Sequence, residues 1–491
     1  MIDLSINEKA LSRTVALARE RGVIIPTFEQ MRRPETIPAA IRARLASVGL
    51  WDVDPLNLFR ITWHNEPKAF GGGFGGVNYL ELPPELTGVA ARIVLLIGKW
   101  FPTGAHKVGA AFGCLAPRLV TGQFDPTSQK AVWPSTGNYC RGGAYDSALL
   151  GCTSIAILPE GMSRERFAWL EGVAGEIIKT PGSESNVKEI FDKCWELKRS
   201  GDDLVIFNQF DELGNYLWHH NVTGPAMAEV VSALTGDPRR YRGVVLATGS
   251  GGTLACGDYM KARYPWSKIA ASEALQCPTL LQNGFGEHRI EGIGDKHVPW
   301  IHNVKNTDMV VAVDDEAPVR LIRLFNEPAG RDYLVSRGVA PDVVSRLDLL
   351  GISGVANALA AIKFAKYYEL DADDVVLSVA TDSMEMYGSR LEEMRELFGP
   401  LETIEAAAVF ERHLLGAGLD NLLELGHFDR KRVHNLKYYT WAEQQGKNVD
   451  ELRAQWSDRD YWTQIPAAGE AIDALIADFN RRTGLLAGLG A

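Results

Sequence analysis

The chain lacks the marks of several large protein classes. It has no apolar run of about eighteen residues, so no membrane-spanning helix is predicted. The opening MIDLSINEKALSRTVALARERG scatters its charges and has no apolar centre, so no secretory signal is predicted. The six cysteines, Cys114, Cys140, Cys152, Cys194, Cys256 and Cys277, form no C-x-x-C pair. No His/Cys cluster has zinc spacing either, so no metal site is expected. Such cysteines read as reduced, buried thiols in a cytoplasmic protein. Basic residues are outnumbered, 51 Lys and Arg against 62 Asp and Glu, for a net charge of −11. That balance argues against nucleic acid or an anionic membrane as partner. It leaves room for a locally basic pocket. There is no internal repeat and no low-complexity tract.

What is present is an ordinary globular composition, 46% hydrophobic and 23% charged over 491 residues. That length suggests two or three domains. Residues 5–22 have amphipathic helical spacing with Ser5 as a candidate N-cap. The glycine run from Gly71 to Gly76 marks a break. Short apolar runs then alternate with helical stretches: RIVLLIGKW, AVWPS, TSIAILPE, GEIIKTPG, DLVIFNQF, RGVVLATGSGG, KIAASEAL and VVLSVATDS. This alternation predicts an α/β class fold with two doubly wound domains, buried mostly parallel sheets, and a ligand cleft between them. The expected division is an N-terminal extension over 1–76, a large domain from 77–110 and 225–395, a small mobile domain over 111–224, and a helical C-terminal extension over 396–491.

Three strand-to-helix turns carry candidate chemistry. In ATGSGGTLACG (247–257), glycines let backbone N–H groups approach an anion at a helix N-terminus, and Thr253 adds a hydroxyl. A plain tight turn has the same letters. PTGAHKVGAAFG (102–113) places Lys107 at a predicted helix start, where the dipole disfavours a cation unless the amine is consumed. A solvated surface lysine is the plainer alternative. PSTGNYCRGGAY (134–145) offers Ser135, Thr136 and Asn138 as donors for a carboxylate, or simply as N-cap and turn. Turns at the C-terminal ends of parallel strands are where α/β proteins bind ligands. A lysine with phosphate and carboxylate cradles is what pyridoxal chemistry requires.

Seven segments in order then resemble one family. They are TGAHK (103–107), STGN (135–138) followed by Gly142–Gly143, NVTGPAMAEV (221–230), GSGGT (249–253), EGIGDKHVP (291–299), GISGVANALAA (351–361) and ATDSMEMYGSR (380–390). Over about residues 77–395 the chain resembles the fold-type-II pyridoxal-phosphate enzymes: cysteine synthase, cystathionine β-synthase, threonine synthase and the tryptophan synthase β subunit. The resemblance implies pyridoxal 5′-phosphate as cofactor and a homodimer. It implies Lys107 as Schiff-base and proton-transfer lysine, and Asn138 on the cofactor's 3′-oxygen. Gly249, Ser250, Gly251, Gly252 and Thr253 would hold the phosphate, with Gly292 against the ring. Ser383, or Thr381 in a shifted register, would face the pyridine nitrogen. Ser135, Thr136 and the backbone of Gly137 would bind the substrate carboxylate.

The chain departs from the cysteine synthases at Tyr139 and Cys140, where they carry Thr-Gly. That points to a different substrate side, with Tyr139 near it and Arg141 available for a second anionic group or else on the surface. His106 either covers the phosphate or packs. Trp218, His219 and His220 are expected to pack, as are Met384 and Met386. Cys140 has no evident His partner and is not expected to be a nucleophile. The resulting expectation is a lyase that performs α,β-elimination on a small, β-substituted, anionic amino acid through an aminoacrylate, releasing ammonia and a 2-oxo acid. The alternatives are a β-replacement synthase of cysteine-synthase type and a non-catalytic cofactor-binding regulator.

Overall fold

A computed structural model describes residues 2–488 apart from 136, 183–185 and 202. Strands β1 (Tyr79–Leu82), β2 (Arg92–Ile97), β7 (Tyr241–Ala247), β8 (Lys268–Ala274), β9 (Met309–Val313), β10 (Val375–Ala380) and β11 (Leu422–Glu424) form one sheet. Its order is β1-β2-β10-β7-β8-β9-β11. The inner pairings are parallel, and β1 and β11 close the two edges antiparallel. A second, all-parallel sheet has the order β5-β4-β3-β6. It is made of β3 (Lys130–Pro134), β4 (Ser154–Pro159), β5 (Glu176–Thr180) and β6 (Leu204–Ile206).

The inner strands are near-continuous apolar runs because both sheet faces are covered. In β2, Val94 and Leu96 join one core while Ile93, Leu95 and Ile97 join the other. The same alternation divides Leu377 from Val376 in β10. One core contains helix Lys107–Thr121 and the other helix Ile352–Tyr367.

Several expectations shift. The first helix runs Glu8–Arg21 and is capped by Asn7, whose side chain accepts from the Ala10 N–H; Ser5 lies outside it. β10 ends at Ala380, so Met384 and Met386 sit on a following turn, where they pack into the core as expected. β1, β9 and β11 were not expected. The last shows that the C-terminal extension is helical with one strand lent to the large sheet.

The two terminal extensions meet. The long helix Tyr461–Thr483 lies against the first helix and the core around Lys107–Thr121. Buried Asn480 accepts from the Ile25 N–H at 3.0 Å and donates to the Ile25 carbonyl at 2.7 Å. Asp473 accepts from the N–H groups of Phe28 and Glu29, capping a helix start from a distance of more than four hundred residues in sequence. Truncating Asn480 to Ala would leave two backbone groups of Ile25 buried and unpaired. Asn480→Ala is predicted to lower stability by about 1–3 kcal/mol, read as a lower urea midpoint. An unchanged midpoint would mean that this helix unfolds independently of the core.

Candidate active site

The C-terminal ends of β2, β3, β7 and β10 lead into the segments that surround one cavity of about 370 Å³. Lys107, Ser135, Gly137, Asn138, Tyr139, Gly249, Ser250 and Gly292 all line it. The fold therefore brings together residues separated by up to 185 positions.

Lys107 is the first residue of its helix, with no side-chain cap before it. Its Nζ donates to Ser250 Oγ at 2.9 Å and to Gln209 Oε1 at 3.3 Å. The amine thus reaches across to the glycine loop that starts helix Leu254–Arg263. Asn215 donates to the same Ser250 hydroxyl at 3.1 Å, fixing it in place. Gln209 also donates to Ser135 Oγ at 3.2 Å, which in turn accepts from the Gly137 N–H. Gln209 thereby links the lysine to the Ser135 turn. Gly292 has φ +99°, a backbone that favours glycine, and it presents no side chain to the cavity. Gly251 and Gly252 continue the loop and Thr253 begins the helix, with its hydroxyl donating to the Ala247 carbonyl at 3.4 Å. Thr136 lies outside the described residues.

Four positions differ from the expected site. At the end of β10, Thr381 lines the cavity and Ser383 does not. Ser383 is buried beneath, its carbonyl accepting from the Met386 N–H. Arg141 is neither on the surface nor in the cavity. Its guanidinium is buried, donating to the Thr103 carbonyl at 2.7 Å and to Asn138 Oδ1 at 3.2 Å, with its face over Trp169. Thr103 itself is held at φ 71°, a strained conformation just before the lysine. Tyr139 meets the cavity, but its ring packs edge-on against Trp133. Asn138 turns its amide N–H to Asp382 Oδ2 at 2.7 Å.

His106 does not line the cavity. Burial pushes it down to about 3, with Lys107 adding to the effect, and the neutral ring packs against Trp63 and His219. His219 is equally buried, against Thr223. Burial pushes the Cys140 thiol up to about 12, which suits an inert core cysteine.

The sequence reading missed an arginine. No role was expected of Arg166. It lines the cavity and is buried, with Nη1 3.0 Å from Glu291 and Nη2 3.6 Å from Asp382. Nη2 also donates to the Tyr387 hydroxyl at 2.9 Å, which donates to Asp382 Oδ2 at 2.8 Å. A Cβ at position 137 would lie 2.1 Å from Nη1, so Gly137 makes room for this guanidinium. Burial raises the Asp382 carboxyl, and Arg166 and Asn138 oppose that shift. Its one sequence signal was the Ser-Arg-Glu-Arg cluster after β4, which is not distinctive.

Comparison with known proteins agrees with this geometry. Residues 99–341 match the family model for pyridoxal-phosphate dependent enzymes. A cysteine synthase of Staphylococcus aureus (strain N315) is 27% identical over 314 residues, covering 64% of this chain and 93% of that one. Cystathionine beta-synthase of Saccharomyces cerevisiae is 24% identical over 317 residues, covering 63% and 59%. A hydrogen sulfide-producing enzyme from Fusobacterium nucleatum shares the fold at TM-score 0.54 and 23% identity, covering 71% of this chain and 95% of that one. So does an O-acetylserine dependent cystathionine beta-synthase from Helicobacter pylori, at TM-score 0.53 and 22% identity, covering 64% and 94%.

The residues present fit that cofactor. An amine, a glycine loop entering a helix N-terminus and a side-chain-free backbone at Gly292 surround one cavity, as a phosphorylated aromatic aldehyde needs. Removing the Arg166 charge would leave buried Asp382 with only the neutral donors Asn138 and Tyr387, and would leave Glu291 paired with Arg390 alone. Arg166→Gln is predicted to cost about 3–5 kcal/mol, seen as a fall in the denaturation midpoint. A midpoint within experimental error of the parent would show that the pair is not structural.

Proposed function

We propose that this chain is a lyase of the pyridoxal-phosphate-dependent enzymes of fold type II. The reaction is α,β-elimination on a small amino acid, with release of ammonia and a 2-oxo acid. The observation that carries this reading is the Lys107 amine held at Ser250 inside a small cavity that Asn138 and Thr381 also line.

The bound cofactor supplies an electron sink for charge developing at Cα. Lys107 would hold it covalently, and the loop from Gly249 to Thr253 would take its phosphate. With substrate bound, the Lys107 amine would remove the α-proton, with Gln209 and Ser250 orienting Nζ. Ser135 and the Gly137 N–H stand beside Gln209 as donors for the substrate carboxylate. Thr381 is a neutral residue at the end of β10, and the neighbouring Asp382 carboxylate is taken up by Asn138, Tyr387 and Arg166. A cofactor nitrogen with no carboxylate partner makes a weaker sink, which supports elimination over transamination.

The expected anionic β-substituent loses its main support, since Arg141 is engaged outside the cavity and Arg166 is matched by two carboxylates. A second reading, β-replacement by a small nucleophile such as sulfide, is favoured by the likeness to cysteine synthases. The smaller moving domain over 111–224, the homodimer and the cytoplasmic location belong to the same proposal. The small sheet falls wholly inside that range, which supports the first of these.

The test is an absorbance spectrum from about 300 to 550 nm during titration with a panel of amino acids, with ammonia and 2-oxo acid measured in parallel. A visible band, and equal release of both products from one panel member, are expected. Lys107→Ala is predicted to lose the band and at least about 10³-fold of the turnover. Product formation that requires added sulfide and yields no 2-oxo acid would replace the lyase with the synthase.

A further inference from the structure

Asp295, three residues beyond the cavity glycine, lines the same cavity as Lys107 and is 6% exposed. Among the described residues no group hydrogen-bonds its carboxyl oxygens, although Thr279 Oγ1 donates to its backbone carbonyl at 2.6 Å. The loop that carries it is firmly set. His288 Nε2 lies 2.8 Å from the Gly294 carbonyl, and the His297 ring packs edge-on against Phe210, which also lines the cavity. An anchored loop therefore holds an unpartnered carboxyl, largely shielded from solvent, at the cavity wall. That arrangement costs free energy and is characteristic of a group that acts.

The surrounding charges single this carboxyl out. Glu291 and Asp382 are both taken up by Arg166. Asp295 faces Lys107 and Arg166 around the cavity, shares its loop with Glu291 and Lys296, and lies near Cys277. Burial pushes it up to about 7, and the Lys107 amine opposes the shift. It is thus poised to carry a proton at neutral pH.

We propose that Asp295 is a second catalytic residue, which gives its proton to the departing β-substituent, and that the substrate carries a poor leaving group on Cβ: a hydroxyl, an amine or a thiol. This rests on the elimination reading above and names its substrate class. The Cα–H bond breaks with its proton passing to Lys107, and its electron pair becomes the second bond between Cα and Cβ. The Cβ–X bond breaks with its pair on X, which takes the Asp295 proton and leaves as XH. Water reprotonates the carboxylate. A good leaving group, which departs as a stable anion, needs no such acid.

The experiment compares L-serine, L-2,3-diaminopropionate and L-cysteine with β-chloro-L-alanine, using holoenzyme and Asp295→Asn. The variant is expected to lose about 100-fold or more on the natural-type substrate and to stay within about threefold on the chloro compound. Asp295→Glu is expected to restore part of the loss. The cofactor absorbance band should be unchanged in both variants. For the parent, activity on the poor leaving group should fall as pH rises past about 7, where the carboxyl loses its proton, and this limb should be absent with chloride. In the cofactor-free protein, infrared difference spectra should contain a protonated-carboxyl band titrating in that range and missing from Asp295→Asn. Equal losses on both substrate types, or a parent active on the chloro compound alone, would overturn the role of Asp295. A parent that eliminates from none of the four would instead overturn the elimination reading itself.

Discussion

A single buried guanidinium holds the two sheets in register around the cavity. Arg166 belongs to the helix that follows β4 of the small sheet, and its partners Glu291, Asp382 and Tyr387 belong to loops of the large one. Three charges with so little contact with water are tolerable only together, because each alone would carry an uncompensated desolvation cost. Around this group the chain keeps position 137 free of a side chain and spends Asn138 on Asp382. Glu165 accepting from Ser389 and Arg390 donating to the Gly161 carbonyl continue the junction outward.

Within that frame the cavity divides labour by hydrogen bonding. Lys107 is aimed by Gln209 and Ser250, and Ser250 is aimed by Asn215. Two neutral acceptors, Gln209 and Ser250, thus help to position the amine. Asp382 and Glu291, by contrast, are tied to Arg166, so they act as structure. The likeness to pyridoxal-phosphate dependent enzymes accords with the amine and the loop. It does not by itself choose between elimination and replacement, since both begin at the same lysine.

The terminal segments work as one unit. Asn480, Asp473 and the Thr483 carbonyl, which accepts from Arg19, attach the last long helix to residues 19–29. The same helix reaches the turn before the Thr-Gly-Pro segment, where Asn221 donates to the Pro466 carbonyl at 3.0 Å. The additional chain therefore braces the back of the core that contains the lysine helix, which is a structural role independent of any particular substrate.

Much of this was legible in the residues alone. Local rules carried the alternating strands, the lysine at a helix start, the GSGGT loop and the glycine at 292, because each depends on neighbours within a few positions. The same rules placed Ser5 two residues from the true cap, missed three strands, and left Ser383 and Thr381 unresolved. β11 is short and pairs only with β9, so nothing in its own letters marks it as a strand. Arg141, Arg166 and Asp295 could not be assigned from sequence for a further reason. A charged side chain on a helix or loop has the same letters whether it faces water, a carboxylate or a cavity. What decides is which distant groups surround it, and these came from segments up to two hundred or more residues away. The sequence by itself determined the fold class and the cofactor. Only the tertiary structure decided which charges are paired with one another and that Asp295 lines the cavity without a hydrogen-bond partner for its carboxyl among the described residues, because pairing and desolvation are properties of the assembled interior.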